Sequence, residues 1–106
     1  VARAMGLAWL GDKLSAEEAA AWGLIGACVD DAEFAASVDR LAAQLALAPT
    51  KALVRTRQAI RASHTNTLEQ QLDLERDYMR ELGRSRDYRE GVSAFMEKRA
   101  PRYTGE

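Results

Sequence analysis

Apolar residues fall in short blocks along the chain, with capping residues, glycines and charges between them. Val1 to Leu10 opens as an apolar run, ended by the turn signal Gly11-Asp12. Ser15 and Glu18 then have the spacing of a capping box: the Ser15 hydroxyl accepts from the Glu18 backbone N–H, and the Glu18 carboxylate accepts from the Ser15 amide. Leu14 precedes the cap, placed to staple onto the first turn. The helix they open runs through Trp22 and stops at Gly23, a residue suited to a left-handed C′ position. Leu24 to Val29 is apolar and brief, which predicts one short strand or an extended connector. Asp30-Asp31 supplies a cap and N-terminal negative charge to a second helix. There Phe34, Val38, Leu41 and Leu45 form one apolar stripe, and Pro49 closes it.

A third helix is predicted over about Thr50 to Ala62, with Leu53, Thr56 and Ile60 on one face. Ser63-His64-Thr65-Asn66 is a polar loop. Thr67 and Gln70 repeat the capping-box spacing and open a fourth helix, with Leu68, Leu72, Met79 and Leu82 along one side and Gly83 at its end. Ser85 caps the last helix, whose Tyr88, Val92, Phe95 and Met96 are expected to point inward, and Pro101 lies beyond it. Five helices this short are marginal alone, since isolated helices below about 12–15 residues are barely stable in water. They must pack on each other or on something missing, and the apolar character of Val1–Leu10 and Leu24–Val29 favours the second.

Composition sharpens this picture. The chain's 106 residues suffice for one domain, and 20 of them are alanines, which favour closely packed helices but bury little surface. Fifteen basic residues against sixteen acidic ones leave no basic excess to draw nucleic acid or an anionic membrane. The single cysteine, Cys28, excludes an internal disulfide and fits a reducing compartment. No stretch has the about 20 apolar residues a membrane span needs, so the expectation is a cytoplasmic protein. The chain starts at Val1, already inside an apolar run, where natural chains usually open with methionine and loosely held polar residues. We expect a piece of a longer protein.

Candidate chemistry is sparse. His64, the one histidine, reads as a solvated loop residue rather than a base for Cys28, and Cys28 as a small buried hydrophobe. Glu69, Asp73, Asp77 and Glu81 line one helix face, but Arg76 and Arg80 stand three residues beyond two of them, which suits surface ion pairs. Glu17-Glu18 compensates a helix start. No spacing suggests a metal, and no glycine-rich loop cradles a phosphate. Trp9 and Trp22 are expected in the core. Phe95 and Lys98, with Arg99 and Arg102 just beyond, form the one notable cluster. An aromatic one turn before a cation can support an adenine ring and pair a phosphate; equally, the cations complement a helix C-terminus and Phe95 faces the core.

Two blocks carry a family resemblance. Gly11-Asp12-Lys13-Leu14-Ser15-Ala16-Glu17-Glu18-Ala19, followed by Trp22-Gly23-Leu24-Ile25 and Val29-Asp30, resembles a recurring pattern of the crotonase (enoyl-CoA hydratase/isomerase) superfamily. Asp87-Tyr88-Arg89-Glu90-Gly91-Val92-Ser93-Ala94-Phe95-Met96-Glu97-Lys98-Arg99, then Pro101, resembles that family's C-terminus. Within the family, Thr65 to Glu75 and Cys28 to Asp31 are most similar to isomerases of phenylacetate degradation acting on 2-(1,2-epoxy-1,2-dihydrophenyl)acetyl-CoA.

The resemblance implies a mainly α chain: residues 1–106 as the C-terminal helical, trimerisation segment of the α/β crotonase spiral fold, with at most one short strand. It implies a parent acyl-CoA isomerase or hydratase in which two backbone N–H groups stabilise a thioester enolate and acidic side chains move protons. Those groups precede the point where this chain begins, so no catalytic residue is assigned, and Glu17, Glu18 and Glu90 are not substitutes. It implies that Phe95 and Lys98 contact the adenine and phosphate end of coenzyme A, often across a subunit interface. Coenzyme A enters as the substrate's thioester, with no separate cofactor or metal. The implied partners are an acyl-CoA and sister subunits in a homotrimer or dimer of trimers, not nucleic acid or membrane. The competing readings are a self-contained helical interaction module and a nucleotide or CoA carrier.

Overall fold

Where side-chain caps and left-handed residues fall along the sequence, helices start and stop in the structure. The computed structural model describes residues 1–106. It contains six helices and no strand: α1 (Ala2–Leu10), α2 (Ala16–Ala21), α3 (Asp31–Ala46), α4 (Thr50–Ala62), α5 (Leu68–Leu82) and α6 (Arg86–Met96). The chain divides into two compact units, Val1–Asp39 and Arg40–Glu106.

In the first unit the opening apolar run, assigned to no element from sequence, is α1. It ends at Gly11, whose φ of 68° and ψ of 19° let its N–H reach the Leu7 carbonyl at 3.1 Å. The α2 capping box is complete: Ser15 Oγ accepts from Glu18 N at 3.1 Å and Glu18 Oε2 from Ser15 N at 3.3 Å. Gly23, at φ 75°, closes α2 in a Schellman turn, with its N–H on Ala20 O and that of Leu24 on Ala19 O. That turn decides the fate of Leu24–Val29. The Leu24 and Ile25 amides are both directed to the Ala19 carbonyl and no strand exists to pair with, so the segment is a connector. Arg3 ties α1 to the end of α2, its Nη1 donating to Trp22 O at 3.3 Å and its guanidinium lying 5.2 Å from the Trp22 ring centre.

The second unit is organised by an antiparallel pair, α4 and α5, the helices with the most extensive mutual packing. Lys51 and Arg55 of α4 both reach Glu81 of α5, at 3.2 and 2.8 Å. At the other end Gln71 donates to the Ala59 carbonyl at 3.2 Å and accepts from Asn66 of the intervening loop. The Arg55 guanidinium also lies 4.9 Å from the Tyr78 ring centre. Thr67 and Gln70 make the second complete capping box, and Ser85 caps α6 by accepting from Tyr88 N at 3.0 Å. Pro49 does not close α3, which ends at Ala46. With φ −69° and ψ 90° it stands at the N-cap of α4, where its missing N–H costs nothing.

The expected core is absent. The buried apolar residues are Ala19 and Ala94, both small. Phe34, Val38, Leu41 and Leu45 are exposed along α3, and Tyr88, Val92, Phe95 and Met96 are exposed along α6 rather than inward. Trp9 is 76% exposed and Cys28 is exposed, so neither is a core residue, while Trp22 is half-buried. The amphipathic pattern is real, but α4 and α5 alone supply each other with much of a partner surface.

Local capping then carries much of the definition of α2, α5 and α6. Thr67→Ala should cost α5 about 1 kcal/mol, and Thr67→Gly only a few tenths. In amide exchange the first turn of α5 should open about fivefold faster in the alanine variant, following that free energy. Unchanged exchange would show that the box contributes nothing.

Candidate functional site

The candidate site is the C-terminal end of α6 with the tail that follows it. Its foundation is Asp87, in the first turn of α6 and 5% exposed. The Asp87 carboxylate accepts from Thr104 N at 2.7 Å, Gly105 N at 2.9 Å and Thr104 Oγ1 at 3.4 Å, while the Asp87 amide donates to the Glu106 carbonyl at 3.0 Å. The first turn of α6 thus binds the end of the chain, and Arg86 adds an ion pair to Glu106 at 2.7 Å. The tail must run back along α6 to arrive there. Gly91 makes room for it: a Cβ at this position would stand 3.2 Å from the Tyr103 hydroxyl. Ala94, one turn on, is 1% exposed.

Glu90 is the second anchor. Its two oxygens take the Arg99 guanidinium as a fork, at 2.6 and 3.0 Å, and Oε1 also accepts from Arg102 N at 2.8 Å. The Arg99 guanidinium, then the Arg102 amide, hold the Glu90 carboxyl well below its ordinary value, at about 2. Arg99 in turn is raised, chiefly by Glu90 and next by Glu97, whose Oε2 lies 2.7 Å from Arg99 Nε. Glu97 is lowered by Arg99 first and by Ser93 second; the Ser93 hydroxyl donates to it at 2.7 Å.

Between these tied residues the helix ends in a Schellman turn without glycine. Arg99 N donates to Ala94 O at 3.0 Å and Lys98 N to Phe95 O at 3.2 Å. Lys98 takes the left-handed C′ position at φ 53°, the one non-glycine residue with positive φ. The acids of this corner, Glu90 and Glu97, are both spent on Arg99, and no ion pair engages Lys98. Phe95 is 83% exposed and does not face a core. It borders an open groove of about 440 Å³ shared with Ala52, Met79, Leu82, Tyr88 and Val92. The structure therefore brings Phe95 and Lys98 together at one helix end, the aromatic ring open and the ammonium without a carboxylate.

The other candidates resolve differently. The α5 carboxylates are surface charges in part: Asp73 pairs with Arg76 at 2.7 Å, and Asp77 with Arg76 and Arg80. Glu81 leaves that row to bridge α4, and its carboxyl is lowered by Arg55 and then Lys51. Glu17 is lowered by its own backbone N–H and then Ser15, as suits a helix start. His64 is exposed in the α4–α5 loop. Asp87 and Tyr103 were not singled out from sequence, although the Asp87-x-x-Glu90-Gly91 spacing, one helical turn followed by the residue lacking a side chain, was their signal.

The Glu90 anchor has a pH signature. Because its folded-state value is depressed, the stabilisation it gives is complete above the ordinary carboxylate value of 4.5 and is lost progressively as pH falls from there through about 2. The Arg102 amide resonance should therefore titrate near pH 2, and Arg99→Ala should move that midpoint up toward 4.5. A midpoint near 4 in the unmodified chain would contradict the fork.

Comparison with known proteins gives consistent matches. The family model described as enoyl-CoA hydratase/isomerase matches residues 1–106. A curated relative, the 1,2-epoxyphenylacetyl-CoA isomerase of Escherichia coli, is 59% identical over 104 residues, which is 98% of this chain and 40% of that protein. A probable enoyl-CoA hydratase of Rhodobacter capsulatus is 47% identical over 99% of this chain and 41% of its own length. Among solved structures, an enoyl-CoA hydratase from Polaromonas sp. JS666 superposes with a TM-score of 0.91 at 31% identity, covering 98% of this chain and 40% of that one. The chain thus spans about two fifths of the length of the relatives it matches.

Proposed function

The chain belongs to the enoyl-CoA hydratase/isomerase family, and from that membership we propose that it is the C-terminal helical part of an acyl-CoA isomerase acting on ring-1,2-epoxyphenylacetyl-CoA, giving trimer contacts and one corner of the coenzyme A site. The observation that carries this reading is the open apolar surface. Five helices present leucine, valine, isoleucine, methionine or aromatic side chains to solvent, while the buried apolar residues are two alanines. A self-contained interaction module would bury such faces; a part of a larger assembly has them covered by the rest of its subunit and by sister subunits. The 59% identity to the E. coli isomerase supports the epoxide substrate over other acyl-CoA esters.

In this reading Phe95 lies against the adenine ring and Lys98 pairs with a phosphate of the coenzyme. Both contacts draw on what the corner offers: an exposed aromatic face and a cation with no competing acid. In this reading the oxyanion hole and the proton-transferring acids belong to the part of the whole protein outside these 106 residues.

Two measurements test this. The isolated 106 residues should bind 8-anilinonaphthalene sulfonate and show no turnover of acyl-CoA substrates. A monodisperse, cooperatively folding, dye-silent chain would restore the interaction-module reading. Substituted for the matching 104 residues of the E. coli isomerase, the chain should support isomerisation of the epoxide substrate. A chimera that folds and assembles but does not isomerise the epoxide substrate would overturn the substrate assignment.

A further inference from the structure

We infer that Glu90 is a positioning residue for Lys98: by gripping Arg99 and the Arg102 amide it fixes the left-handed turn that presents Lys98 and keeps Arg99 from competing with that ammonium for an anion. The inference rests on the coenzyme A reading of Lys98 given above and adds a second residue to it, one that touches no ligand.

Three observations carry it. Lys98 occupies a backbone conformation that a residue with a Cβ rarely takes, so something must hold it there. Its neighbours are held on both sides: Glu97 by Ser93 and Arg99, and Arg99 through its backbone to Ala94 and through its side chain to Glu90. With these fixed, the residue between them has only the turn it occupies. The corner's charges also sort themselves. Arg99 engages both carboxylates, Glu90 with two nitrogens and Glu97 with the third. Neither acid is then left to neutralise Lys98, and Arg99 is not left to compete with it for a phosphate.

The geometry makes the coupling directional. Losing the Glu90 charge frees half of the Arg99 fork and the Arg102 amide, so the turn loosens and Lys98 leaves its fixed position. Losing Arg99 releases two carboxylates next to the ammonium. Either change weakens the hold on a phosphate without altering any group that a thioester carbonyl would meet. Because Glu90 stays ionised down to about pH 2, the coupling is constant across the working pH range.

The test uses the chimeric isomerase and steady-state kinetics on the epoxide ester of coenzyme A and on its pantetheine thioester, which lacks the nucleotide. Lys98→Ala should raise KM for the coenzyme A ester about tenfold, and Glu90→Gln or Arg99→Lys about three- to fivefold, with kcat changed less than about twofold. On the pantetheine thioester these KM increases should vanish. Glu90→Gln should add nothing in the Lys98→Ala background, since it acts through Lys98. Equal KM losses from Glu90→Gln in both backgrounds, or on both substrates, would mean that it merely supports the fold and would overturn the inference. So would an unchanged KM in Glu90→Gln and Arg99→Lys beside a raised one in Lys98→Ala. If Lys98→Ala itself leaves KM unchanged, the coenzyme A reading fails, and the inference fails with it.

Discussion

A helix of 6 to 16 residues gains little from its own hydrogen bonds once the cost of starting it is met. Each of the six helices here needs its apolar face covered, and for most of them the chain offers no cover. What remains within the chain is polar and local: caps at helix starts, Schellman turns at helix ends, and a few long side chains that bridge elements. The α4–α5 pair shows the arrangement at its most developed. Glu81 collects Lys51 and Arg55 at one end, and Gln71 reaches the Ala59 carbonyl at the other, so two polar ties set the register of a helix pair that still leaves Leu68, Leu72 and Met79 exposed. Such ties fix geometry more than they supply stability, since ion pairs at this exposure are screened and entropically costly.

How much of this the sequence showed depended on the range of the interaction. Both capping boxes, the Ser85 cap and the left-handed Gly23 involve partners three to five residues apart, and all appear where their spacing puts them. The limits of α4 follow for the same reason. Burial is not legible in this way, because an apolar stripe says that a face wants a partner, not that the partner lies in the same 106 residues; Trp9, Cys28 and the α3 and α6 stripes are exposed for that reason. α1 leaves a weak mark in the sequence because its apolar residues lack a clear helical period and its end depends on Gly11 turning left-handed. Glu81 looked like the last member of a solvated row, since a bridge across 26 residues to Arg55 leaves no local mark.

The C-terminal block was recognised as a pattern before its residues had reasons, and the structure supplies them. Asp87 satisfies the Thr104 and Gly105 amides, Glu90 holds Arg99 and the Arg102 amide, Gly91 admits the Tyr103 ring, and Ala94 is small because it is enclosed. Most of the pattern is a clasp between one helix and the tail that follows it. Phe95 and Lys98 stand outside it, since neither takes part through its side chain, and that is a structural ground for looking to a ligand or another subunit for their role.

Lys98 makes the point most sharply. The C′ position of a Schellman turn favours glycine, and α2 uses Gly23 there. A lysine in the same place gives up about 1 kcal/mol of backbone preference. The surrounding clasp does not use the lysine charge, because Arg99 already meets both nearby carboxylates. Stability alone would therefore be served better by glycine, and the clasp is built to hold a residue that is not the best one for the turn. A strained backbone maintained by neighbours that spend two carboxylates and a guanidinium on it supports the proposed contact of Lys98 with an anion. An anion is the partner that a bare ammonium beside an exposed aromatic ring is equipped to meet.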